Sequence, residues 1–322
     1  MTSIKERLRL IERPVSRAAA WSQALAVFAV PFFVIVIIGH RFGAIDTPSL
    51  FWLLGVGGVV LVAAVLTGMR GIYELWVYGK AGGLKSLLGI SLASLLLLPF
   101  LWSGYLAIAL PPLHDISTDL ETAPDFEIAG SDRTEGMNLI ADLPARNREA
   151  QLRAYPQVTA RRYPLGSSRV LEEIIDLVAD RDWVILASAA EAPGSTVDDE
   201  GSSSASSAPD GQLAVPSFRP VPREERAGDN AGRESATVSP VGRDEPATEP
   251  LEERYVEAVA TSLVLGFESD VVIRLLEEED GTLVDMRSAS RWGPHDLGEN
   301  ARRITSFLAD LDTALQGQSQ DG

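Results

Sequence analysis

The 322-residue chain contains no cysteine, which excludes disulfides, thiolate metal sites, a cysteine nucleophile and lipid attachment through sulfur. Histidine is nearly as scarce. Of the three, His40 and His114 stand beside the ends of apolar runs and only His295 lies in polar sequence, so a multi-histidine zinc site has too few ligands. Positive charge is also short, with 28 Lys plus Arg against 45 Asp plus Glu and a formal charge of −17. A polyanionic partner such as nucleic acid requires clustered Lys and Arg on the globular part, and this balance disfavours it. The deficit is uneven: residues 1–110 hold nine basic and four acidic side chains, and residues 111–322 hold 19 and 41. The two parts therefore face different surroundings. No Asp, Glu, Lys or Arg falls in the middle of any long apolar run, which counts against a proton-coupled transporter or an ion channel.

Three apolar runs, at 18–39, 50–69 and 84–110, each reach the roughly 20 residues that a helix needs to cross a bilayer. All three are predicted to span, and the lipid bilayer is the first expected partner. Pro31 and Pro99 fall inside them and predict local kinks. Lys5, Arg7, Arg9, Arg13 and Arg17 precede the first run, and Arg70, Lys80 and Lys85 lie between the second and third. Basic residues collect on the cytoplasmic side. The expected topology is thus a cytoplasmic basic tail (1–17), a three-helix anchor (18–110) in the inner membrane, and a periplasmic C-terminal part. A cleaved signal peptide fits poorly, because the first apolar region is too long and residues 39–44 offer no small-x-small site. Tyr73, Trp76 and Tyr78, placed between spans, suit the headgroup level.

From 191 to 253 the composition turns to Ser, Pro, Gly and acids, with Phe218 the lone aromatic residue. Such a segment cannot bury enough apolar surface to offset ordering about 60 residues at ~1–2 kcal/mol each, and it is predicted to be a disordered insertion. Folded sequence resumes on both sides. Val170, Leu171, Ile174, Ile175 and Val178 recur at helical spacing behind Ser168, an expected N-cap, and predict a helix over 168–180. Residues 183–188, 255–265, 271–276 and 283–290 read as strands. The hairpin between the last two contains Asp280 and Gly281. A four-residue loop sets Arg274 opposite Asp285, whereas a two-residue loop sets it opposite Arg287. A final helix begins at Asp296, whose spacing to Glu299 fits a capping box, and carries an apolar stripe from Leu297 through Leu315. These elements predict one α+β domain, an antiparallel sheet with packed helices, built from 111–190 and 254–316 with a disordered tail at 317–322.

Several stretches resemble the domain-of-unknown-function family numbered 1499: residues 115–126 (DISTDLETAPDF), Tyr163-Pro164, Trp183 to Ile185, residues 257–267 (EAVATSLVLGF) with DVVIR after them, and above all residues 284–304 (VDMRSASRWGPHDLGENARRI). The similarity covers nearly the whole C-terminal part except 191–253, and the long acidic insertion departs from the family's compact pattern. The resemblance implies the fold of that domain and a place in a bacterial envelope or a plastid, and it implies no reaction.

The functional reading centres on Arg287, Ser288, Ser290 and Arg291 at a strand end, followed by Asp296 and the start of the last helix. Two guanidiniums beside free backbone N–H groups form a receptor for a carboxylate or phosphate, with Arg302 and Arg303 adding charge. The alternative is that these arginines pair internally with Asp285, Glu268, Asp270 or Asp119. A hydrolase of Ser288 or Ser290 with His295 and Asp296 can be written down, but no G-x-S-x-G elbow is present and adjacent His and Asp side chains rarely converge. Asp115, Asp119 and Glu121 lack the spacing of a calcium loop. The chain is therefore expected to be a membrane-anchored periplasmic binding or interaction module, leaning away from an enzyme, with no cofactor or metal. Its partner would be an anionic envelope ligand or a membrane protein. A hydrolase at the membrane surface and an accessory subunit of an envelope transport or assembly complex are the alternatives.

Overall fold

The computed structural model describes residues 13–131, 133–189 and 253–318. Of the insertion expected at 191–253 only Glu253 lies among them, and most of the basic tail and the last four residues also lie outside the described residues. Three helices come first: α1 (Arg17–Arg41), α2 (Thr47–Tyr78) and α3 (Gly83–Ala109). Each is long and apolar enough to cross a membrane. Ser16 caps α1 by accepting from the Ala19 N–H, and Asp46 caps α2 by accepting from that of Ser49. Between the helices Phe33, Leu61 and Phe100 pack with alanines, and small residues let the backbones approach closely elsewhere, as expected where no hydrophobic force separates helix from lipid. Ser22 Oγ donates to the Ala64 carbonyl at 2.8 Å, and a Cβ added at Gly71 would stand 2.2 Å from Ser86 Oγ and 2.9 Å from Ala19 N. The second helix runs nine residues past the expected end at 69, so Arg70, Tyr73, Trp76 and Tyr78 belong to its last turns, with Glu74 paired to Arg70 and Lys80.

The C-terminal domain is α+β, as the periodicities predict. It contains β1 (Asp115–Ser117), α4 (Ala145–Ala154), β2 (Arg161–Tyr163), α5 (Ser167–Asp180), β3 (Val184–Ala189), β4 (Glu253–Thr261), β5 (Glu268–Glu278), β6 (Gly281–Ser290) and α6 (Glu299–Gln318). The antiparallel sheet runs β1-β6-β5-β4-β3, with β2 also paired to β6. Strand alternation gives the sheet two unlike faces. On one, Val256, Ala258, Val271, Ile273, Leu275, Val284 and Met286 pack with Ile174 of α5 and Ile304, Phe307 and Leu308 of α6. The other carries Asp115, Glu257, Asp270, Arg274, Asp285, Arg287 and Arg291, and is met by the irregular segments 118–131 and 133–144 and by Gln151 of α4. Sequence periodicity misses α4, which has only Gln151 buried, and also the three-residue β1 and β2.

Four local expectations shift. The cap of α5 is Gly166 rather than Ser168, and Ser167 Oγ donates instead to Glu277 at 2.5 Å. The strand expected to reach residue 265 ends at Thr261, because Gly266 at φ 74 turns the chain, and Ser262 Oγ accepts from the Phe267 N–H. At the β5–β6 hairpin Glu278 pairs with Gly281, so the two loop residues are Glu279 and Asp280. A two-residue loop therefore sets Arg274 opposite Asp285, at 2.9 Å, because the turn sits one residue earlier than Asp280-Gly281. Finally α6 continues to Gln318, past the tail boundary expected at 317.

Candidate functional site

The expected anion receptor is divided by the sheet. Arg287 and Arg291 lie on the polar face, and Ser288 and Ser290 lie on the face toward α6. Arg287 is 1% exposed. Its Nε and Nη2 donate to the two oxygens of Asp115 at 3.0 and 2.8 Å, and its remaining donors reach the Pro124 and Ala141 carbonyls. Arg291 donates from Nε and Nη2 to Asp270 Oδ1 and from Nη1 to Glu268. Burial works against the Arg291 charge, but the Asp270 and Glu268 carboxylates outweigh it and hold the guanidinium above its ordinary value. The second Asp270 oxygen is taken by Arg133 at 2.7 Å. Both arginines are thus engaged internally, which removes their donors from the expected receptor.

On the opposite face the structure brings Ser288, Ser290, Asp296 and Arg303 together around Asn300. Asn300 accepts from Ser288 Oγ at 2.8 Å and from Arg303 Nη1 at 2.6 Å, while its amide nitrogen donates to Ser290 Oγ at 2.9 Å. Asp296 accepts from the N–H groups of Gly298 and Asn300, at 2.8 and 2.9 Å. The capping box is only half made, because Glu299 turns to Arg303 and the Asp296 N–H donates to the Leu113 carbonyl. Burial raises Asp296 above the usual carboxylate value, with the two backbone donors pulling the other way. Burial likewise lowers Arg303, against the attraction of Glu299 and Asp296. His295 accepts at Nδ1 from the Leu297 N–H, which leaves the ring proton on Nε2 to meet the Leu110 carbonyl at 3.2 Å. Both ring nitrogens are committed, neither to a serine, and Nδ1 stands 4.0 Å from Asp296. The triad geometry is absent from this arrangement. His295 and Asp296 instead hold the turn containing Leu297, whose φ of 54 is sparsely populated for a side chain of that size.

Two clefts meet at this turn. The larger, about 770 Å³, lies between the C-terminal end of α3 (Trp102, Ser103, Leu106), the β4–β5 tip from Thr261 to Leu265 and the start of α6, with Arg181, Arg302 and Arg303 on its walls. The smaller, about 420 Å³, is lined by Phe51, Phe267, Ser269, Ser290, Trp292 and His295, and shares Phe267, Asp296, Leu297 and Glu299 with the larger. The tip is pinned to the helices. His40 Nδ1 donates to the Leu265 carbonyl at 2.6 Å, Arg41 reaches the Leu263 carbonyl at 2.9 Å, and Phe51 stacks on Phe267. Two cations in the larger cleft are balanced, Arg181 by Asp310 and Arg303 by Glu299. Arg302 is exposed, donates through Nε to the Gly298 carbonyl, and has no carboxylate partner among the described residues.

Residues 115–311 match the family described as Protein of unknown function (DUF1499). The chain belongs to this family. No curated protein and no solved structure matches the chain. In this DUF1499 protein the matched region starts at the first residue of β1 and ends within α6, leaving the three long helices outside it. The stretch 290–299 of the most specific resemblance supplies much of the smaller cleft and the junction of the two. Trp102, Ser103, Leu106 and Phe51 come from helices beyond the matched region, so each cleft is completed by the anchor. Sequence reasoning overlooked Asn300, which sits one residue past Glu299 in the resemblance stretch, and Asp115, the partner that closes Arg287. It also overlooks the tip, where three apolar residues before a glycine, Leu263 to Leu265 with Gly266, read as the end of a strand.

Proposed function

We propose that this DUF1499 protein is an inner-membrane, periplasm-facing binding module that holds an anionic envelope component in the cleft beside the start of α6. The observation that carries this reading is Arg302, an uncompensated guanidinium on the wall of a 770 Å³ cleft whose other cations are paired. It displaces the anion site from Arg287 and Arg291 to the other side of the sheet, while keeping Ser290, Asp296 and Arg303 in its surroundings. The commitment of both His295 nitrogens supports a binding role over hydrolysis. The orientation rests on charge: Arg17, Arg70, Lys80 and Lys85 gather where α1 and α3 begin and α2 ends, opposite the end that carries the domain. The test is thermal unfolding of the full chain in mild detergent with a panel of soluble anionic amphiphiles and short anionic glycans. A ligand that binds only the folded state raises the melting temperature. At least one member should do so, and Arg302→Gln should abolish the rise. A flat response across the panel would reject the reading.

A further inference from the structure

We infer that the ligand of the larger cleft is an anionic glycerophospholipid drawn sideways from the bilayer crossed by α3, with its phosphate at Arg302 and an acyl chain between α3 and the β4–β5 tip. This rests on the binding reading above and adds the class of ligand and its route. The first ground is depth. Trp102 lies seven residues before the end of α3 at Ala109, about 10 Å along the axis at ~1.5 Å per residue. The tip residues Leu263, Val264 and Leu265 line the same cleft as Trp102, so they descend beside the last turns of a membrane-crossing helix rather than standing clear of it. The second ground is apolar surface. Leu263 is 87% exposed, Val264 64% and Trp102 61%, a patch that water would penalise and hydrocarbon would cover. On the Trp102 side this patch is continuous with α3 surface that also exposes Leu98, Leu101 and Tyr105, so a lipid can reach the cleft without leaving the leaflet.

The third ground is charge at the right end. Asp296 is spent on backbone N–H groups and Glu299 on Arg303, which leaves Arg302 as the surplus charge. Arg181 is fixed nearby, stacked over the Phe307 and Trp183 rings at 5.0 and 5.6 Å. An apolar floor opening on lipid and a cationic rim are the complement of a phosphate with a chain attached, and a guanidinium suits phosphate oxygens in particular. Leu297, held at a positive φ, lines both clefts and so forms part of the wall the acyl chain would lie against.

The experiment is native mass spectrometry of the full-length chain released in mild detergent from bilayers of phosphatidylglycerol and phosphatidylcholine in equal parts. Beside it, unfolding is followed with added sodium phosphate, a headgroup anion without chains. One phosphatidylglycerol per chain should be retained in preference to phosphatidylcholine. Arg302→Gln should reduce retention about tenfold, the worth of one charge-assisted hydrogen bond. Leu263→Ser combined with Val264→Ser should reduce it as well. All three positions are exposed, so unchanged melting temperatures would show that the variants fold. Equal retention of the two lipids, indifferent to Arg302→Gln, would overturn the inference. So would stabilisation by phosphate alone matching that by lipid, although the anion-binding reading would then stand. If neither lipid nor any anion binds, both fall.

Discussion

Asp115 and Arg287 make two parallel hydrogen bonds in a place where both side chains are buried. Each is tolerated there because the other neutralises it and nearby carbonyls take the remaining donors, with the exposed Asp125 carboxylate a further 3.8 Å from Arg287 Nη1. Removing one partner strands the other, at a cost of about 3–5 kcal/mol. Asp115→Ala and Arg287→Gln should therefore each lower the melting temperature of the full chain sharply. Arg302→Gln, at an exposed position, should change stability by less than about 0.5 kcal/mol. If Arg287→Gln melts like the parent, the burial described for it is wrong. Asp296 gives a finer test. Asp296→Ala removes an acceptor from the Gly298 and Asn300 N–H groups and should cost about 1 kcal/mol, whereas Asp296→Asn keeps an oxygen there and should cost less. The folded carboxyl titrates above its unfolded value, so its protonated form favours folding. That contribution is full below the unfolded value and is lost as pH rises through the raised one. Relative to Asp296→Asn, the parent should gain stability on going from neutral pH toward pH ~4. A difference that stays constant with pH would contradict the assigned shift.

Among the elements, the β5–β6 hairpin is the most exacting. Gly281 takes φ 142, and a Cβ there would stand 2.1 Å from the Tyr163 carbonyl oxygen of β2. Gly281→Ala should thus force β2 away from β6 and cost at least the ~1–3 kcal/mol of a residue held in a disallowed region. Deuterium exchange at Arg161–Tyr163 would report it, and unchanged protection would refute the clash. This hairpin also marks where the sequence stops being legible. Helical stripes and apolar runs disclose α5, α6, the three spans and the existence of β3 to β6, because burial imposes a period on them. A turn displaced by one residue leaves no trace in that period, and neither do β1 and β2, whose three residues each are too few to show one. The α4 helix is silent because only Gln151 is buried. The site was half readable for a related reason: strand alternation dictates that Arg287 and Ser288 face opposite ways, but it does not reveal that Asp115, 172 residues away, closes the first. Nor could a local pattern show that a wall of each cleft would come from α2 or α3.

For the whole molecule, the proposed orientation gives a direct prediction. A reporter active only in the cytoplasm, fused after Gly322, should be silent, and one active only outside should work; the reverse result would invert the assignment. The pins at His40, Arg41 and Phe51 further imply that the domain does not hang from a free linker, so His40→Ala should loosen the β4–β5 tip, detectable as faster exchange of the Gly266 and Phe267 amides. One more consequence follows from β6, the strand that pairs with β1, β2 and β5 together. In the order of synthesis β1 leaves the ribosome first and β6 last of all the strands. For that whole interval β1 and β2 have no partner to close on, and a chain stopped short of residue 281 can pair only β3, β4 and β5. Assembly of this domain is therefore a late event, completed only when nearly the entire chain has been made, and the time until then is when proteases and chaperones would find it.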